Sequence, residues 1–203
     1  MTASKKIIAV FDFDGTITKS DSMIALIRYA FGAKRLNKWL VLNSPRLILT
    51  KLGFVSSAGA KERLLTYFLK GMAYADFQKI CEDFFRISGH GMLRKDAVEC
   101  IDRHKTNGDF IIIVSASADA WIKPFAQYLG IDKIISSQLE VAPDGKLTGK
   151  LIGKNCKGRE KVSRLQEICP DRTNYIIKAY GDSSGDKELL QFADISHYKA
   201  FNN

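Results

Sequence analysis

A chain of 203 residues, 46% hydrophobic and 26% charged, is long enough for one substantial core or for a core domain with a smaller insert, and its composition is that of a globular protein. Its four cysteines, Cys81, Cys100, Cys156 and Cys169, form no CxxC pair, which excludes the common zinc and disulfide frameworks and fits a reducing compartment. The formal charge of +9 is unevenly spread, because no acid lies between Asp21 and Glu62 while Arg28, Lys34, Arg35, Lys38, Arg46, Lys51 and Lys61 fill that window; such a segment attracts phosphorylated metabolites, nucleic acid or acidic lipid head groups, or is simply a solvated basic face.

The start, MTASKKIIAVFDFDG, has too short an apolar run for a signal peptide, and no stretch reaches the ~20 apolar residues of a membrane span, so a cytoplasmic location is expected. Lys5 to Phe11 reads as a buried strand, since its apolar residues do not alternate with polar ones. From Ser22 the period becomes helical. Met23, Ile24, Ile27 and Phe31 share a face that ends at Gly32, and Leu36, Trp39, Leu40 and Leu47 to Leu52 continue in helical style with Pro45 expected to interrupt. Leu64 to Leu69 and Phe77 to Phe85 mark two further helices, so residues 20–88 read as all-helical.

Helix and strand then alternate. A helix over Met92 to His104 stops at Asn107-Gly108, and DFIIIVSAS is a second buried strand. Ala118 to Leu129 is helical, and a strand and hairpin turning at Asp144-Gly145 follow. Val162, Leu165 and Ile168 mark another helix, and NYIIKAYGDSSGD and ADISHYKA supply the last strands. This order implies an α/β fold, a doubly wound parallel sheet with an inserted α-helical bundle as cap. The core is expected over residues 1–19 and 89–203, and the cap over residues 20–88.

Three apolar strands each end in small and acidic residues, VFDFDGT, IIVSAS and KAYGDSSGD. In a parallel α/β sheet ligands bind beyond the carboxyl ends of the strands, so Asp12, Asp14, Ser115, Asp182 and Asp186 are expected at one edge. Four carboxylates there repel one another unless a cation sits among them, and aspartates with phosphate and water are a typical magnesium set. Lys157, at the start of a helix, could add positive charge. Each element alone has a bland reading: a DxD can cap a turn, the serine can cap a helix, and GDSSGD can be an acidic loop.

Taken together, the motifs resemble those of the haloacid dehalogenase-like phosphohydrolase superfamily (subfamily IB), in its phosphoserine-phosphatase-like branch. DFDGT is similar to the first motif, Ser115 in VSAS to the second, Lys157 in CKGREK to the third and GDSSGD to the fourth, and the insert looks like the branch's helical cap. The resemblance implies a Mg2+-dependent phosphatase that hydrolyses a phosphate monoester through an aspartyl-phosphate. Asp12 would be the nucleophile and Asp14 the acid and base. Gly15, Thr16, Ser115, Ala116 and Lys157 would bind phosphate, and Asp12, Asp14 (through its carbonyl) and Asp182 would hold the metal, with Asp186 either a direct ligand or a partner of the groups that ligate it. An acid at Asp14 argues against dehalogenase chemistry, which has no alkoxide to protonate, and the lack of spans excludes the ion pumps of the superfamily.

The chain departs from phosphoserine phosphatase at Gly15, where that family tends to carry serine, at Asp21, where it carries glutamate, and in GDSSGD, where it has GDGxND. The substrate is accordingly expected to be a phosphorylated small molecule or lipid head group, phosphoserine-like or phosphatidylglycerophosphate-like. The stretch Arg35 to Phe54 combines Trp39, many leucines and only basic charges. It either touches the inner face of a membrane peripherally, as the similar cap of a bacterial phosphatidylglycerophosphate phosphatase suggests, or packs its leucines into the cap. A non-catalytic membrane-surface or nucleic-acid-binding protein on the same scaffold is the alternative; no nucleic-acid reading motif is present, and none is expected to bind.

Overall fold

The computed structural model describes residues 5–52, 54 and 56–201. Residues 1–4, 202 and 203 of the expected core and Gly53 and Val55 of the expected cap lie outside the described residues, as does the Lys51 side chain. Strand β1 (Lys6–Phe11) runs through the middle of a six-stranded sheet, paired in parallel with β2 (Phe110–Ala118) on one side and β5 (Tyr175–Gly181) on the other. Beyond β2 lies β3 (Lys133–Val141), and beyond β5 lies β6 (Ile195–Tyr198), both parallel to their neighbours. The antiparallel β4 (Leu147–Ile152) closes the order β4-β3-β2-β1-β5-β6.

The central strands are apolar on both faces because both faces are covered. Ala9, Phe11, Ile111 and Ile113 pack with Ala97 and Ile101 of α6 (Lys95–Thr106) and Trp121 and Phe125 of α7 (Asp119–Leu129). Ile8, Val10, Ile112 and Val114 pack with Leu165 of α8 (Arg159–Ile168) and Leu189 of α9 (Lys187–Phe192). That is the doubly wound layering.

Between β1 and α6 the chain is helical, through α1 (Ser22–Phe31), α2 (Ala33–Lys51), α3 (Ser57–Leu69), α4 (Tyr74–Phe84), a π-helical turn over Phe85–Gly89 and the short α5 (His90–Met92). Asp21 caps α1 by accepting from Ile24 N at 2.9 Å, and Gly32 ends it with φ +84°. Leu26, Leu65, Phe77 and Phe84 belong to the same apolar cluster as Phe13 and Trp121, so insert and sheet share one core. The β3–β4 hairpin reaches up to the insert, and a Cβ at Gly149 (φ +83°) would stand 2.3 Å from Thr66 Cα, so only glycine lets α3 sit there.

Three local expectations need correction. Pro45 does not interrupt α2; it lies on the exposed face, and the Val41 carbonyl it leaves without a backbone donor accepts from Ser44 Oγ at 2.8 Å. The helix expected from Met92 starts at Lys95 instead, because Leu93 and Arg94 turn extended to pair with the segment after β1, with Arg94 N donating to Ile17 O at 2.9 Å. The helix α9 follows the last acidic motif and was not foreseen. All four cysteines are free and buried, and no helix among the described residues is long and apolar enough to cross a membrane.

Candidate active site

Strand pairing continues one residue past β1, with Asp12 N donating to Tyr180 O at 2.9 Å, and this fixes Asp12 at the carboxyl edge of the sheet. The next side chain, Phe13, is fully buried against Phe125 with ring centroids 5.2 Å apart. That leaves Asp12 and Asp14 turned to the opposite side of the chain, as alternation requires. Gly15 follows with φ +85°, and a Cβ there would stand 2.3 Å from Asp182 Oδ2, so glycine is what lets the first loop and the loop after β5 approach. Thr16 Oγ1 donates to Asp182 Oδ1 at 3.4 Å and ties the same two loops.

Asp12, Asp182 and Asp186 each offer a carboxylate oxygen, and these oxygens lie within 4.8 Å of one another. Into this cluster α8 inserts Lys161, whose side chain is 2% exposed and whose Nζ donates to Asp12 Oδ1 at 2.5 Å and to Asp186 Oδ1 at 2.6 Å. The other Asp186 oxygen accepts from Ser183 Oγ at 2.7 Å and Ser183 N at 3.0 Å. Burial disfavours charge on Asp186, but Lys161 and these donors outweigh it and hold the carboxyl below its usual range. For Asp12 burial wins over Lys161, and with the Asp186 charge it pushes the carboxyl up to about 7. Burial likewise opposes the Lys161 charge, yet its two carboxylates win and keep the ammonium protonated. Three acids against one base leave an excess of negative charge in a partly dry site, all of it on hard oxygen donors, and that donor set fits a magnesium-like cation.

Asp14 lines the same cavity but bonds elsewhere. Its Oδ1 accepts from Ser22 N at 2.7 Å, and its Oδ2 accepts a short hydrogen bond from Ser117 Oγ. Ser22 is itself braced, since its Oγ accepts from Trp121 Nε1 at 3.1 Å. The Asp14 carboxylate therefore does not join the metal cluster, and its carbonyl is the only part left as a candidate ligand. Ser115, on β2, is buried and accepts from Ser117 N at 3.1 Å. Asp12, Asp14, Ser115, Ser117, Lys161, Ser183 and Asp186 line one cavity of about 260 Å³, together with Asp21, Met23 and Lys61 from the insert.

The structure thus brings Asp12, Asp14, Ser115, Ala116, Lys157 and Asp186 to one cavity, while Asp182 joins Asp12 and Asp186 in the carboxylate cluster and Gly15 and Thr16 lie against Asp182. Lys157, expected to add positive charge, lines the cavity, while the ammonium that touches the carboxylates is that of Lys161. Gly158 (φ +62°) turns the chain outside α8, leaving Lys157 exposed beside Gly185, while Lys161 enters one turn later. Lys161, Leu165 and Cys169 are spaced four apart and all buried, and a lysine on an apolar helical stripe signals a paired charge. Ser117 was also missed, although it lies two residues from Ser115 on the same strand. So was Lys61, which donates to Ala116 O at 2.7 Å and Asn155 Oδ1 at 3.1 Å, and whose pKa burial draws below the usual lysine range.

The family described as haloacid dehalogenase-like hydrolase matches residues 9–191. Protein CicA of Caulobacter vibrioides is 35% identical over 202 residues, covering 96% of this chain and 86% of the relative. A probable phosphatase of Mycobacterium tuberculosis is 26% identical over 189 residues, covering 90% of this chain and 65% of the relative. Among solved structures, a phospho-aspartyl intermediate analogue of phosphoserine phosphatase superposes with a TM-score of 0.69 at 23% identity, covering 95% of this chain and 86% of the other.

Proposed function

The chain belongs to the haloacid dehalogenase-like hydrolases and is a phosphatase of that family, and we propose that it cleaves small phosphomonoesters by a two-step displacement on Asp12. One observation carries this reading. Asp12 and Asp14 share one cavity but bond differently, Asp12 to the Lys161 ammonium within the three-acid cluster, Asp14 to the neutral donors Ser22 N and Ser117 Oγ.

An Asp12 carboxylate oxygen attacks phosphorus, and the bond to the leaving oxygen breaks. Asp14, held by Ser22 N and Ser117 Oγ, delivers its proton to that oxygen, and then takes a proton from the water that attacks the aspartyl-phosphate. Lys161 orients Asp12 and offsets charge on the transferring group, while the Ser115 hydroxyl lines the cavity as a donor to phosphoryl oxygens. A bound Mg2+, held by Asp12, Asp182 and Asp186 with the Asp14 carbonyl, would screen the nucleophile from the phosphate dianion.

A cavity of about 260 Å³ suits a phosphoryl group with a small leaving group, and Lys61 and Lys157 add cationic walls beside Asp21. The substrate class is therefore a phosphorylated small molecule or a phosphorylated head group. The phosphoserine-phosphatase kinship of fold supports phosphoserine as one candidate. The test is turnover of an aryl phosphate, phosphoserine, histidinol phosphate, phosphocholine and phosphatidylglycerophosphate by the wild type and by Asp12→Asn. The reading requires the variant to lose activity on every ester the wild type hydrolyses while keeping its fold; retained turnover would remove Asp12 as nucleophile.

A further inference from the structure

The helix α2 settles which of its apolar residues serve the cap. Leu36 and Trp39 are buried, and Leu40 and Leu47 pack against the core cluster. Those four positions share one helical face. The opposite face carries Val41 (72% exposed), Leu42 (71%), Ile48 and Leu49, and it runs on to Leu52 and Phe54 (78%) past the helix end. Pro45, with its Val41 carbonyl satisfied by Ser44, sits on the same outward side. An outward face of this length made of large apolar side chains is unusual for a protein surface that meets only water.

The charges that α2 itself carries are all of one sign, and Glu62 of α3, in the cavity beside Leu42, is accompanied there by Arg63 and Lys150. Lys34 and Lys38 lie on the same outward side, one to two turns before the apolar residues, and Arg46 flanks them. No acid occurs anywhere between Asp21 and Glu62. A second copy of this chain docked through the same face would set those lysines and the arginine against a helix that carries no acid to pair with them. An anionic bilayer offers both complements at once, phosphate at the surface and acyl chains beneath it.

We propose that the outward face of α2, with Leu52 and Phe54 beyond it, docks the protein on an anionic lipid bilayer, inserting Leu42, Ile48, Leu52 and Phe54 among the acyl chains with Lys34, Lys38 and Arg46 at the phosphate level. This docking does not depend on the hydrolytic reading and leaves the catalytic cavity untouched.

The experiment is co-sedimentation of the full chain with vesicles of phosphatidylcholine alone and of phosphatidylcholine containing phosphatidylglycerol. Binding is expected only to the anionic vesicles, and it should weaken from about 0.05 M to about 0.5 M salt as screening sets in. Replacing Lys34, Lys38 and Arg46 by glutamine should weaken it about a hundredfold, at roughly fivefold per charge. Leu42→Ser, Ile48→Ser and Leu52→Ser together should weaken it at least about tenfold, because the apolar insertion is lost. Both variants alter exposed positions, so hydrolysis of a soluble aryl phosphate should be unchanged and shows that each is folded. Failure to sediment with anionic vesicles would overturn the proposal. So would binding that ignores the apolar variant, or a concentration-dependent dimer in lipid-free solution that the apolar variant abolishes.

Discussion

Lys161→Met removes the only ammonium that touches the carboxylate cluster among the described residues. Its Nζ lies 2.5 Å from Asp12 and 2.6 Å from Asp186, and the side chain is 2% exposed, so water cannot take over the pairing. Breaking a buried pair from one side costs about 3–5 kcal/mol, which for a chain of this size lowers the melting temperature by roughly 6–20 °C. The loss has a pH signature. Asp12 already titrates at about 7, so without Lys161 it protonates more readily, and the penalty shrinks at acidic pH where the proton replaces the ammonium. Thermal unfolding of wild type and variant in the presence of chelator, at pH 5.5 and pH 8, should show the larger deficit at pH 8. Lys157→Met, at an exposed position, should shift the melting temperature by little and serves as the control. Two variants with equal melting temperatures, or a deficit larger at pH 5.5, would refute the assignment of Lys161 as the buried partner.

Other outcomes follow from the same geometry. A chelator should stop hydrolysis, and added Mg2+ should restore it. Because the folded Asp12 holds its proton up to about 7, well above 3.8, a metal must displace that proton, so apparent Mg2+ affinity measured by titration calorimetry should fall below pH 7 by up to about tenfold per unit. Gly15→Ala puts a Cβ 2.3 Å from Asp182 Oδ2 at a φ of +85°, so it should weaken Mg2+ binding in the same calorimetric assay by displacing Asp182. Lys61→Met should raise KM for the physiological ester more than for an aryl phosphate, since Lys61 lines the cavity from the insert; equal effects would remove it from substrate selection.

The sheet was legible because its three central strands are mostly apolar runs, β5 broken only by Lys178, that each stop in acids or serines, as strands covered on both faces and open at one end do. The inserted helices were legible from their 3.6-residue stripes, down to the Gly32 stop. The hidden parts depended on contacts across the chain. Leu93 and Arg94 leave the helical pattern because Ile17 and Thr18 pair with them, and nothing local announces that pairing. Motif spacing pointed to Lys157, whereas the positive φ at Gly158 decides which lysine enters the core. The DxD motif announced two acids but not their separate partners: Asp14 is held by Ser22 and Ser117, with Ser22 braced by Trp121, from three different elements. For α2, sequence left its leucines either buried or exposed; packing shows that both hold, on opposite faces.

The central claim is that the phosphoryl group passes through Asp12. Rapid acid quench of the enzyme during turnover of a good phosphomonoester, with Asp14→Asn used to slow the second step, should trap a hydroxylamine-labile phosphoryl group on the peptide that contains Asp12. A turning-over enzyme whose quenched protein carries no phosphoryl group, or carries it on a residue other than Asp12, would contradict the account.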